Sequence, residues 1–219
     1  KHFYRILRTG GTCIIFFDVW KLTDLKDTMD RSGPAKKRKI PTKLKKNESE
    51  EDFLARQKDV LDNPYKQHGF TKLRFIEWIK TNPQPINSSA TYLSNCREIA
   101  LVGIKSDKSG VFNSKYDNAI YEYPLQGGKE RFHPTQKSLP LFEELIKKHS
   151  NEGDLVLDCF TGSGTTAVAA IKTSRRFLGC ELDEEYYKKA LDRVLSNHKQ
   201  HYDDLKKQMQ QVWDRMKLL

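Results

Sequence analysis

The chain has 219 residues, enough to bury one α/β core, and its 39 Lys and Arg against 29 Asp and Glu give a formal charge of +10. A pI near 9.3 suits a polyanionic partner. The four cysteines (Cys13, Cys96, Cys159 and Cys180) have neither CxxC nor metal-ligand spacing, which argues against a metal centre or disulfide framework and for reduced thiols.

Residues 1–11 read as the end of an amphipathic helix, with Phe3, Ile6 and Leu7 on one face and Gly10-Gly11 stopping it. Thr12–Phe17 is then a buried strand, and Trp20–Met29 a helix. The apolar stretch Cys13–Trp20 is too short to span a bilayer and carries Asp18. From Arg31 to His68 the periodicity disappears. Lys36, Lys37, Arg38 and Lys39 run together, Lys43, Lys45 and Lys46 follow, and Glu48–Asp52 is acidic. The expectation is a solvated, partly disordered insert with a short helix around Phe53–Leu61 and a loop turn at Asn63-Pro64-Tyr65.

Leu73–Ile79 alternates as a strand and Glu98–Ile104 as its partner. Between them lies Asn82-Pro83-Gln84-Pro85, which a proline-stiffened connection would explain by itself. Ser106–Glu130 carries Phe112, Tyr116, Tyr121 and Tyr123 among scattered lysines. His133-Pro134-Thr135-Gln136-Lys137 could be a capped loop ahead of the helix Leu141–His149. After the turn Asn151–Asp154, the strand Leu155-Val156-Leu157 ends on Asp158. Gly162 and Gly164 follow, leaving room for a ligand against bare backbone, and Thr165–Ala170 starts a helix whose first N–H groups face the loop. The strand Phe177–Cys180 ends on Glu181, about 20 residues after the loop, where nucleoside-binding sheets place a ribose acceptor. From Glu184 to Leu219 one helical pattern runs without Gly or Pro. Tyr202, Leu205, Met209, Val212, Met216 and Leu219 alternate spacings of three and four, a coiled-coil seam.

His133–Lys137, then Asp158, Phe160 and Gly162–Thr166, then Gly179-x-Glu181, together resemble the amino-methyltransferases of DNA, in the group whose cofactor half is C-terminal. That family shows His-Pro-Thr-Gln-Lys-Pro, Asp-Pro-Phe-x-Gly-Ser-Gly-Thr-Thr and Gly-x-Glu. Ser138 and Cys159 stand where it has proline, and neither change removes a polar contact. The resemblance implies a doubly wound, Rossmann-like α/β sheet with a long C-terminal helix. It also implies S-adenosylmethionine as cofactor and methyl transfer to an exocyclic amino group in double-stranded DNA. Adenine N6 is preferred, and cytosine N4 stays open.

The cofactor's chemistry fits these residues. A phosphate-binding loop needs Gly-Lys-Ser/Thr, but Thr165 follows Gly164, and a dinucleotide fingerprint needs a third glycine. S-adenosylmethionine needs instead an acceptor for its ammonium, donors for its carboxylate, an acidic pair for the ribose and an apolar slot for adenine. Asp158, the loop amides with Thr165 and Thr166, Glu181, and Phe160 with Leu182 can supply these. His133, Thr135, Gln136, Lys137, Gly162, Ser163 and Gly164 complete the expected cofactor set.

For DNA, the resemblance puts the loop of Lys80, Asn82 and Pro83 beside the target base, while the charge run Lys36, Lys37, Arg38 and Lys39, in an insert longer than the family has there, is a candidate arm on the backbone. The Lys-Lys-Arg-Lys run could also be a nuclear signal. No signal-peptide pattern is visible, so an intracellular protein is expected, cytoplasmic in a bacterial or phage setting. Residues 1–195 are expected to form the methyltransferase domain, with the insert at 31–68 and target recognition at about 103–132, a span so short that reading must be compact or shared. Residues 196–219 form a helical extension that packs on a second copy or partner subunit, or folds back.

The family's catalytic motif, Asp/Asn/Ser-Pro-Pro-aromatic, is absent, since no Pro-Pro occurs in the chain. An exocyclic amino nitrogen is a poor nucleophile, and that motif accepts its hydrogens and stacks on the flipped base. The expectation is that the motif precedes Lys1 in a longer polypeptide. A non-catalytic DNA-binding subunit is the rival reading.

Overall fold

The computed structural model describes residues 2–62, 65–83, 95–105, 110–128 and 131–197. The chain divides into two compact units, Lys1–Glu77 with Glu98–Val111, and Trp78–Arg97 with Phe112–Leu219.

In the first unit, α1 (His2–Ile6) leads to β1 (Thr12–Phe17) and, after a 3-10 turn at Val19–Lys21, to α2 (Leu22–Asp30). The helix expected from Trp20 begins later because Asp18 caps the separate turn, accepting the Trp20 N–H at 3.1 Å. β1 pairs antiparallel with β5 (Arg97–Ile104), Thr12 opposite Ile104 and Phe17 opposite Ile99, and β5 lies between β1 and β4 (Thr71–Lys80). The core gathers Met29, Phe70 and Leu101, with Tyr4, Leu7, Ile15 and Leu73 packed around them. Around α1 this is only partly the expected face: Tyr4 and Leu7 pack inward, whereas Phe3 and Ile6 are exposed.

The charged insert is more ordered than its composition suggests. β2 (Ala35–Lys37) pairs antiparallel with β3 (Tyr65–Gln67), and α3 (Glu50–Asp62) extends the expected short helix. Tyr65 therefore opens a strand, while Asn63 and Pro64 lie outside the described residues. Main-chain bonds build this ladder, so it needs no apolar alternation. Ser49 caps α3, accepting the Asp52 N–H at 3.1 Å, and Arg56 grips Glu48 through two nitrogens at 2.8 and 2.7 Å.

In the second unit, β6 (Ile120–Tyr123) runs beside the end of β4, where the buried Trp78 donates its ring N–H to the Tyr123 carbonyl at 2.8 Å. α4 (Leu139–His149) packs on α5 (Thr165–Lys172) through Ile146, Ala169 and Ala170, with Leu139, Phe142, Val156 and Phe177 around them. The run of small residues in α5 permits this close approach. β7 (Leu155–Asp158) and β8 (Arg176–Gly179) pair in parallel, Asp158 opposite Gly179, and α6 (Glu184–Asn197) follows. Lys148 joins α4 to the segment before β6, its ammonium bonding Asp117 at 2.6 Å and also Glu144. The coiled-coil seam from Tyr202 lies outside the described residues. Among those residues no helix is long and apolar enough to cross a membrane.

Candidate cofactor site

The parallel register sets the site. Because Asp158 and Gly179 are partners, Asp158 and Glu181 emerge at the same end of neighbouring strands, and the glycine loop passes between them. Asp158 organises the loop's start: one carboxylate oxygen accepts the Phe160 N–H at 2.9 Å, the other the Thr166 hydroxyl at 2.5 Å. Glu181 organises its middle, accepting the Gly162 N–H at 2.7 Å on one oxygen, and those of Leu182 and Asp183 at 2.9 and 3.1 Å on the other. The backbone donors of Asp183 and Gly162 hold the Glu181 carboxyl below the usual carboxylate range.

Gly162 and Gly164 both have positive φ, +52° and +76°, which side-chain-bearing residues rarely adopt. A Cβ on Gly162 would meet only the His133 ring, 3.5 Å away, so a ligand can approach bare backbone there. His133 is set by Thr135, whose N–H and hydroxyl lie 3.3 and 3.2 Å from Nδ1, and by the Tyr186 ring at 4.3 Å. Phe160 is 81% exposed and Leu182 fully exposed, two apolar side chains flanking the loop.

The structure brings His133, Asp158, Gly162, Thr166 and Glu181 together, but separates other expected contacts from any ligand. Thr165 and Ser163 are buried, with hydroxyls 3.1 Å apart, and Thr165 also donates to the Lys137 carbonyl at 3.4 Å. The Thr165 hydroxyl thus braces the loop from beneath. Gln136 is buried as well, accepting the Phe132 N–H at 3.4 Å, so it shapes the His133 turn from within.

A residue that the sequence reading passes over completes the brace. Arg193 of α6 donates from one nitrogen to the Ser163 carbonyl and the Thr165 hydroxyl, each at 2.9 Å. Tyr186, Ala190 and Arg193 stand four and three residues apart on one helical face and meet His133, Gly164 and Ser163 in turn. An aromatic, a small residue and an arginine at that spacing were the available signal.

The expected DNA residues fare unevenly. Lys36, Lys37 and Lys39 are exposed, whereas Arg38 pairs with Asp59 of α3 at 2.6 Å and holds the insert together. Asn82 is engaged on both ends of its amide by Leu125, accepting the N–H at 2.6 Å and donating to the carbonyl at 3.3 Å. It extends the β4–β6 pairing. The Lys80 ammonium lies 5.6 Å from the Trp78 ring, and Pro83 is exposed. Gln84 and Pro85 lie outside the described residues.

The DNA methylase family, comprising N6 and N4 methyltransferases, matches residues 1–192. The chain belongs to this family. It is 37% identical over 142 residues to the Type II methyltransferase M2.DpnII of Streptococcus pneumoniae, covering 58% of this chain and 53% of that protein. It is 34% identical over 142 residues to M2.LlaDCHI of Lactococcus lactis subsp. cremoris, covering 58% and 52%. The chain thus spans about half the length of these relatives. Among solved structures, M1.HpyAVI in complex with SAM superposes with a TM-score of 0.61 at 27% identity, covering 87% of this chain and 78% of that one. These neighbours carry the Rossmann-like methyltransferase fold, and the family is S-adenosylmethionine-dependent. The match stops one residue before Arg193.

Proposed function

We propose that this DNA methylase chain binds S-adenosylmethionine at the Asp158–Glu181 loop and serves methyl transfer to adenine N6 in double-stranded DNA. The observation that carries this reading is the pair of carboxylates on adjacent parallel strand ends, with an open-backbone glycine between them. The groups present suit that cofactor. Glu181 can accept ribose hydroxyls, Asp158 can face the ammonium, the loop amides can meet the carboxylate, and Phe160 with Leu182 can cover adenine. When bound, the cofactor supplies an electrophilic methyl group on a sulfonium. His133, tilted against the Tyr186 ring and beside Gly162, lines the loop's other side.

The amino nitrogen must lose a proton as it gains the methyl, and its hydrogens need acceptors beside the flipped base. No Pro-Pro occurs in these 219 residues, so methyl transfer with this chain requires that motif from elsewhere. The same absence favours a second reading, a cofactor-fold subunit that binds DNA and pairs with an active one. Adenine is preferred over cytosine N4 on the resemblance of the Gly-Ser-Gly-Thr-Thr loop. The basic charge, with Lys36, Lys37 and Lys39 exposed, supports DNA as partner.

Calorimetry with S-adenosylmethionine tests the site. Glu181→Ala removes charged hydrogen bonds to the ribose of roughly 1.5–3 kcal/mol, which lowers affinity about ten- to a hundredfold. Unchanged affinity in that variant refutes the assignment. Methyl incorporation into DNA by the 219-residue chain alone refutes the need for the missing motif.

A further inference from the structure

Cys159 and Cys180 are the first residues past the paired ends of β7 and β8, directly after Asp158 and directly before Glu181. The two strand ends are tied across this point, with Cys180 N–H donating to the Asp158 carbonyl and Thr161 N–H to the Cys180 carbonyl, both at 3.1 Å. The Cys180 thiol itself reaches the Cys159 carbonyl at 3.3 Å. Neighbouring strands stand about 4.8 Å apart, inside the Cα window of roughly 4.4–6.8 Å that disulfides require. Both cysteines are free thiols, Cys180 exposed and Cys159 part-buried. Burial pushes the Cys159 thiol up, and the adjacent Cys180 thiol acts in the same direction. Cys13, part-buried on β1, has its thiol pushed up to about 11 by burial, which makes it poorly reactive.

We infer that Cys159 and Cys180 form a redox-responsive modification site, closing to a disulfide across the ends of β7 and β8 when a peroxide reaches them. The exposed Cys180 thiolate attacks one peroxide oxygen, the O–O bond breaks, and a sulfenic acid and hydroxide form. The Cys159 sulfur then displaces the sulfenic oxygen, and its proton leaves with that oxygen as water. Each thiol sulfur is oxidised and the peroxide is reduced, with no other reagent needed. To reach disulfide length, near 2.05 Å, the Cys180 thiol must leave the Cys159 carbonyl. The backbone that carries Asp158 and Glu181 shifts with it. On the reading that this loop binds S-adenosylmethionine, the disulfide lowers cofactor affinity and reduction restores it.

The test uses the 219-residue chain treated with hydrogen peroxide, alkylated on its remaining thiols, digested and mapped by mass spectrometry. The expected result is a Cys159–Cys180 linked peptide, reversed by dithiothreitol and absent in C180S, with Cys13 and Cys96 recovered alkylated. Recovery of Cys159 and Cys180 as alkylated thiols, or linkage of either to Cys96 or to another chain, overturns the proposal. Calorimetry then compares reduced and oxidised protein, and at least an about tenfold loss of cofactor affinity on oxidation is expected. Equal affinity in the two forms overturns the control of binding. A linked peptide in a protein whose reduced form takes up no cofactor refutes the cofactor reading and leaves the thiol pair standing.

Discussion

Arg193→Met is the substitution that most sharply separates the loop's own chemistry from what holds it in place. The guanidinium gives two bonds at 2.9 Å, to the Ser163 carbonyl and the Thr165 hydroxyl, and both residues are buried. Methionine keeps most of the stem's packing and removes the donors. The Thr165 hydroxyl keeps the Ser163 hydroxyl and the Lys137 carbonyl within reach, whereas the Ser163 carbonyl, in a buried residue, loses its charged donor. One charge-assisted bond is worth about 1.5–3 kcal/mol, and desolvation of the orphaned acceptor overlaps with it, so the expected loss is about 2–4 kcal/mol. Urea unfolding of the parent and variant chains reads this as a fall in midpoint at unchanged slope. Arg193→Lys, with a single ammonium in place of the fork, should lose less. A variant within about 0.5 kcal/mol of the parent would refute the brace, because substitutions away from such features fall in that range.

Three further outcomes are expected. Changing Lys36, Lys37 and Lys39 together to Gln should weaken binding to all DNA sequences alike and flatten the salt slope by up to about 3 in log–log terms, measured by fluorescence anisotropy; a change confined to sequence preference would make the insert a reader. His149 is held below its ordinary pKa of 6.5 by burial, with the Lys148 charge acting the same way and Asp117 opposing. The unfolded state takes up the proton first, so this contribution is full above about 6.5 and is lost as pH falls from there toward the lower folded pKa. Thermal melts from about pH 8 to pH 5 should show the decline, and His149→Gln should lessen it. A chain truncated after Leu195 should stay folded and show lower assembly mass by light scattering than the intact chain; monomers in both cases would mean that residues 196–219 add no association.

What the sequence discloses depends on how local the cause is. The glycine loop is legible because strand, carboxylate, two glycines and helix start are consecutive, and each leaves its mark within a few residues. The core strands are legible through their apolar runs. The β2–β3 ladder is not, because Lys36 and Lys37 sit in a strand made by main-chain bonds to residues thirty positions away. Arg38 and Asn82 look like ligand residues in a motif, yet their partners, Asp59 and Leu125, are distant in sequence and take up the very groups expected to face DNA. Thr165 misleads in the same way: its hydroxyl has the right chemistry for a ligand, and only the fold reveals that Arg193 holds it.

The two loop glycines are not interchangeable as probes. At Gly162 an added Cβ would make an ordinary contact with the His133 ring at 3.5 Å, whereas at Gly164 it would lie 3.2 Å from the Ala190 Cβ and 3.3 Å from its carbonyl oxygen. Alanine at Gly162 therefore obstructs a visitor, and alanine at Gly164 pushes on α6 and the face that carries Tyr186 and Arg193. Both substitutions carry the strain of a positive φ, so it is the difference between them that separates obstruction of the loop from displacement of the helix behind it. Two identical letters in one short motif answer to different neighbours, one of them a helix that begins twenty residues downstream.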